Sequence, residues 1–302
     1  MFTLRTLTLA LTITGLLSTP LLAADTPPPP VRILASLPIT YGLSALLLTD
    51  SGVTLQRAAA ANLPGSRQRA YFSGRGAQAL HAMAQKADAV VGLRSLWSDD
   101  PLYPMARRSN IRLVEVDAAR PVDGSLPGIA VQPGTARDGL NSQPWLASNN
   151  MGRMADVIAA DLMRLAPTAK PAIEANLATL KQRLLTLSAH SEARLATVDN
   201  LSVVSLSDRL DYLISGLNLE RVDVDHNADE AWTPETLKAL SQTLKDNDVP
   251  LVLDHRVPSD VLKAALADGG STLVVVGSDG ADPVAELHST LDAIVNVLVQ
   301  GD

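Results

Sequence analysis

The chain of 302 residues is 46% hydrophobic and 19% charged, carries a formal net charge of −7 and contains no cysteine. That balance is too apolar for a disordered chain and too charged for a protein of many membrane spans. The acid excess, 32 Asp and Glu against 25 Lys and Arg, argues against a nucleic-acid partner or an anionic membrane surface. With no thiol there is no disulfide, thiolate metal site, thiol nucleophile or lipid-anchor cysteine.

Residues 1–24 place Arg5 before an uncharged, mostly apolar run from Thr6 to Leu17, then Pro20, Ala23 and Ala24. That is the order of a cleavable secretory signal peptide, and the run falls short of the roughly 20 apolar residues a membrane span needs. Its removal takes one Arg and no acid, so the mature charge becomes −8. An exported chain that is not membrane-embedded is expected. Residues 25–30 form a stiff proline-rich leader.

An α/β alternation follows. Val31–Leu37 has strand character, Tyr41–Thr49 helical, and Thr54–Ala60 strand. Gly76–Lys86 is helical; Ala87–Leu93 and Ile111–Asp117 are strands. Short apolar runs between helices predict parallel sheets buried on both faces. Residues 118–144, rich in Gly and Pro, read as a long loop of the kind that serves function or moves. Residues 150–198 are helical, split at Pro167. Ile173, Leu177, Leu180, Leu184 and Leu187 form a narrow apolar seam in the second helix. About 29 residues at 1.5 Å each give a rod of about 43 Å, long enough to run along two lobes.

The alternation then resumes. Leu201–Ser207 and Leu219–Asp225 are strands around a helix at Asp208–Ser215. Thr233 caps a helix with Pro234 at its first position. Val249–His255 is strand, Pro258–Ala267 helix, Ser271–Val276 strand and Pro283–Val299 helix. The expected fold is α/β: two lobes with parallel sheets, 31–149 and 199–302, flanking the helical segment 150–198.

The order of several segments carries a resemblance. They are ILASLPI, LHAMAQKADAVVGL, NSQPWLASNNMGRMADVIAADLMRLAP, SLSDRLDYLISGLNL and TPETLKALSQTLKDNDVPLVLDH. Together they resemble the zinc- and manganese-type solute-binding proteins of ABC importers, the zinc-uptake complex component A family. The resemblance implies two (βαβ) lobes joined by one long helix with a ligand cleft between them, in a periplasmic monomer that carries zinc, manganese or a metal complex to a membrane permease. It implies no organic cofactor and no enzymatic activity. The alternatives are a divergent paralogue that binds an organic anion, or an accessory periplasmic protein without a bare-metal site.

The family holds its metal with His from three loops and a carboxylate from a fourth. Carried over, those ligand positions fall on Gln143, Ser207 and Asp279, and the first ligand loop reads GSRQRAYFSGRGA with no His and no acid. Neutral Gln and Ser oxygens hold zinc far less well than imidazole. Tyr71, Phe72, Arg69, Arg75 and Trp145 are candidate cleft residues, with Arg67 beside them: guanidinium forks for an anion and rings for an apolar wall. Asp254 and His255 join them because they end a strand, where ligands of open α/β sheets bind. His81, His190 and His288 read as surface groups on helices, and His226 as part of an acidic loop. A hydrolase would need Ser207 within hydrogen-bond reach of His255.

Overall fold

The structure is a computed structural model that describes residues 29–122, 124, 126–132, 143–224 and 231–301. The segment 1–24 expected to be a signal peptide, most of the proline-rich leader and residues 225–230 with His226 lie outside the described residues.

Two four-stranded sheets, parallel throughout, form the frame. The first contains β1 (Arg32–Ala35), β2 (Thr54–Arg57), β3 (Ala89–Gly92) and β4 (Val114–Asp117) in the order β2-β1-β3-β4. The second contains β5 (Ser202–Ser205), β6 (Glu220–Arg221), β7 (Leu251–Asp254) and β8 (Thr272–Val275) in the matching order β6-β5-β7-β8. Alternation decides which helices cover which face. In β1, Ile33 and Ala35 join the large core, whereas Leu34 faces a second cluster with Phe72, Leu80 and Leu102.

The large core receives α1 (Pro38–Leu47), α5 (Ser148–Leu165), α6 (Lys170–Leu195), α7 (Asp211–Gly216) and α10 (Pro283–Gly301). The opposite face of the first sheet is covered by α2 (Gly65–Ser73), α3 (Ala77–Ala84) and α4 (Leu102–Ala106). The opposite face of the second carries α8 (Pro234–Asp246) and α9 (Asp260–Asp268). One continuous apolar cluster therefore contains residues of both sheets, Ile33 and Val91 with Val203 and Leu253, joined through α5, α6 and α10.

The seam read on α6 faces this cluster. Ile173, Leu180, Leu184 and Leu187 are buried, and Leu177 packs at its edge. The helix has 26 residues, so it spans about 39 Å, slightly less than expected. Gly42 on α1 permits a close crossing of the lobes: a Cβ there would lie 2.7 Å from Pro283 Cδ and 3.1 Å from the Ala281 carbonyl. The helix α8 begins as anticipated, with Thr233 and Thr236 in a reciprocal capping box.

Three segments depart from expectation. The stretch 65–73, read as a cleft loop, is the helix α2. Residues 102–106 add α4, and β6 is only two residues long. Within 118–144 the described part is pinned down. The Asn150 side chain exchanges two hydrogen bonds with the Ala130 backbone, at 2.9 and 3.0 Å. Gln132 donates from its backbone N–H to Tyr212 Oη at 2.5 Å and from its side chain to Ser215 Oγ at 2.6 Å.

Candidate functional site

A cavity of about 330 Å³ lies between the two lobes, at the C-terminal ends of both parallel sheets. Such ends gather ligands in open α/β folds because loops converge there and helix N-termini point inward. The first lobe contributes Leu37, Pro38 and Ile39 from the end of β1 and start of α1, and Pro64, Gly65 and Ser66 from the start of α2. The turn after β3 adds Leu93, Leu96 and Trp97. The connector supplies Gln143 and Trp145. The second lobe supplies Arg209, His255 and the turn after β8, Val276 to Asp279.

Gln143 ties these parts together. Its backbone N–H donates to the Arg209 carbonyl at 3.4 Å, and its Nε2 donates to Ser278 Oγ at 3.3 Å. The short 3-10 turn Pro144–Leu146 then turns Trp145 against the cavity and leads into α5. On the facing side, the Trp97 indole fills the space that a side chain at 65 would need: a Cβ there would lie 2.7 Å from Trp97 Cη2. The α2 start therefore presents backbone and the Ser66 hydroxyl rather than a long side chain.

The residues expected at the site divide into two groups. Gln143, Asp279, Trp145 and His255 line the cavity. Asp254 lies one residue behind, buried, accepting the His255 backbone N–H at 2.7 Å, with its Oδ1 at 3.2 Å from His255 Nδ1. His255 Nε2 accepts from Arg256 Nε at 3.2 Å. Ser207 is also buried behind the lining. Its hydroxyl caps the turn 208–210 by accepting the Arg209 N–H at 3.3 Å, and it makes no hydrogen bond with His255 among the described residues. The side chain that reaches the cavity from this segment is Arg209, two residues on.

Tyr71, Phe72, Arg69 and Arg75 do not line the cavity. Helical winding of α2 explains this. Gln68 and Phe72, four apart, turn inward; Gln68 donates to the Ser36 carbonyl at 3.2 Å, and Phe72 enters the second cluster. Tyr71 packs beside Phe72, and Arg75 stacks on its ring at 5.4 Å. Arg69 pairs with Asp99 at 3.2 Å on the surface, and Arg67 is exposed. His81, His190 and His288 lie on α3, α6 and α10, away from the cavity.

Among the described residues no group of three or more His, Asp or Glu is placed to hold a metal ion. Arg209, Asp279 and His255 are the charged or ionisable side chains of the lining among the described residues. The helices α1 and α2 open onto the cavity with no acidic residue in the first turn and no side-chain cap. Sequence reasoning singled out none of Trp97, Arg209 and Ser278, although Arg209 and Ser278 lie in the segments 207–209 and 277–281 that it assigned to the cleft. The strand-end rule that singled out His255 after β7 applies equally to Trp97 after β3 and to Ser278 after β8.

A family model described as zinc-uptake complex component A, periplasmic, matches residues 76–300. The chain belongs to this family. Solved structures agree with the two-lobed fold of the zinc-uptake component A proteins. ZnuA is 21% identical, with a TM-score of 0.67, covering 88% of this chain and 98% of that one. FpvC from Pseudomonas aeruginosa, in complex with Mn2+, is 21% identical with a TM-score of 0.66, covering 90% and 100%. Zn(II)-bound AdcA from Streptococcus pneumoniae is 17% identical with a TM-score of 0.68, covering 90% of this chain and 58% of that one. No curated protein matches the chain. The family is periplasmic, and among the described residues no helix is long and apolar enough to cross a membrane.

Proposed function

We propose that this chain is the periplasmic solute-binding component of a metal-type ABC importer. It holds a divalent metal, zinc or manganese, or a complex of one, between its lobes and presents it to a membrane permease. The observation that carries this reading is the cavity of about 330 Å³ walled by loops from both lobes at the C-terminal ends of both sheets. Membership of the zinc-uptake component A family supports it, as do the metals named with its neighbours: Zn(II) with AdcA, Mn2+ and Ni2+ with FpvC.

In this reading no bond is made or broken. Asp279 supplies the anionic contact and Gln143 a neutral one, while Ser207 acts from behind by holding Arg209 in place. Segment 1–24 directs export and is removed. Asp279→Ala weakens metal binding more than His226→Ala does; the reverse order moves the site to the acidic loop.

The test is uptake of radiolabelled zinc and manganese, bare or complexed, by cells with and without the gene for this chain. Uptake that falls on deletion and returns with the wild-type chain supports the receptor reading. Uptake unchanged for every form overturns it. A competition titration of metal-stripped protein against a chromogenic chelator then measures the bare-metal affinity, with a dissociation constant below about 1 μM (about −8 kcal/mol) marking a dedicated ion site.

A further inference from the structure

Resting on the receptor reading, we infer that Glu286 is a positioning residue for the cargo contact at Asp279. Its carboxylate is the inner support around which the turn after β8 is folded. Val276 closes the sheet by donating to the Asp254 carbonyl at 2.8 Å, and the chain then leaves through Gly277, Ser278, Asp279 and Gly280. Residues 276–279 line the cavity. The turn 277–280 belongs to no helix or strand, so no ladder fixes its course. Two side chains hold it instead. Gln143, on the connector, donates from Nε2 to Ser278 Oγ at 3.3 Å. Glu286 reaches back from the first turn of α10 and accepts the Gly280 N–H on Oε2 at 3.0 Å.

The two glycines let the carboxylate in. A Cβ at 277 would lie 2.8 Å from Glu286 Oε1, and one at 280 would lie 3.0 Å from both its Cδ and its Oε2. Neither glycine has a positive φ, so the backbone conformation itself does not demand glycine there. The space left by their missing side chains is taken by Glu286.

Capping of α10 does not account for Glu286. Asp282 does the capping: its Oδ1 accepts the Val284 and Ala285 N–H groups at 2.9 Å each, and Arg183 pairs with its Oδ2 at 2.8 Å. The bond from Gly280 lies outside the helix, six residues back along the chain. A backbone N–H held by a carboxylate makes a charge-assisted bond, stronger than a neutral one. That N–H belongs to the peptide joining Asp279 to Gly280, so the bond restrains the ψ of Asp279 itself.

The experiment compares metal-stripped wild type with Glu286→Ala, Glu286→Gln, Gly277→Ala and the double variant Gly277→Ala/Glu286→Ala. Amide exchange resolved by NMR reads the turn without cargo. Glu286→Ala should speed exchange at Gly280 at least about tenfold while the helices keep their protection. Glu286→Gln keeps an oxygen acceptor and should stay closer to wild type than to Glu286→Ala. Gly277→Ala should copy Glu286→Ala, because its methyl group displaces the free end of a flexible side chain and the fold survives. In the Glu286→Ala background the same methyl group meets no carboxylate and should add nothing. Competition titrations with zinc and manganese ions follow. Where wild type binds either ion, Glu286→Ala should weaken binding at least about tenfold. In the Asp279→Ala background it should change binding less than about twofold. Unchanged exchange at Gly280 in Glu286→Ala overturns the inference, as does a Gln variant no better than Ala. Equal weakening with and without Asp279 also overturns it, since Glu286 would then act on the ion by itself. If wild type binds neither ion, the exchange result alone decides whether Glu286 holds Asp279, and the uptake experiment judges the receptor reading on its own.

Discussion

The crossing at Gly42 invites a test in which one small change is made at two places. Gly42→Ala and Gly152→Ala both insert a methyl group in the interior of a helix, α1 and α5. Both gain the same intrinsic helix propensity, about 1 kcal/mol over Gly. Their surroundings differ. The new Cβ at 152 meets only Leu184 Cδ1 at 3.7 Å, an ordinary contact. At 42 it meets Pro283 Cδ at 2.7 Å and a backbone carbonyl at 3.1 Å, and neither belongs to a side chain free to swing away. Overpacking of this kind costs about 1–3 kcal/mol. Gly152→Ala should therefore stabilise the protein by up to about 1 kcal/mol. Gly42→Ala should fall about 1–3 kcal/mol below it. Urea unfolding with matched m-values reads the difference directly. Equal midpoints for the two variants would refute the claim that α1 and the start of α10 are in hard contact.

Three further outcomes are expected. Leu180→Ala, on the buried seam of α6, should cost about 2–5 kcal/mol, whereas Leu185→Ala, 63% exposed on the same helix, should stay within about 0.5 kcal/mol; chemical denaturation of the pair checks both. Burial pushes the Asp100 carboxyl above its ordinary value of 3.8, against the hydrogen bonds it accepts from the Leu93 and Leu102 N–H groups. Its stability contribution relative to Asp100→Asn is thus full below pH 3.8 and lost as pH rises through the raised pKa; unfolding midpoints that diverge in the opposite direction would contradict this. Thr233→Ala removes half of the capping box and should cost about 1 kcal/mol, with faster amide exchange concentrated in the first turn of α8.

Where the chain could be read without coordinates, periodicity or punctuation was strong. The seam from Ile173 to Leu187 and the Thr233–Pro234 start each follow from one local rule. The helix α2 was hidden because one of its two buried positions is Gln68, whose amide donates to the Ser36 carbonyl, so the apolar period is broken. That omission sent Arg69, Tyr71, Phe72 and Arg75 to the cleft, although helical winding points the first three elsewhere and Arg75, just past the helix, stacks on Tyr71. Gln143 and Asp279 were found by their place in the order of segments, and His255 by its place at the end of a strand. Trp97 required three-dimensional knowledge, because loops from different lobes meet at the cavity only after both sheets have formed. Ser207 shows the opposite limit: its position along the chain is right, yet the peptide direction there buries its hydroxyl as a cap and sends Arg209 forward.

The apolar cluster shared by both sheets also governs how quickly cargo can come and go. Prying the lobes apart would expose that cluster to water at about 2.5 kcal/mol for each 100 Å² of apolar surface. A wide swing that uncovers several such patches would compete with the stability of the whole fold. Exchange at the mouth therefore falls to the loops around it, the turn after β3, the start of α2 and the turn after β8. In such a molecule residence time is set by a rim of a few residues, and a change in that rim alters the clock of delivery while the frame stays as it is.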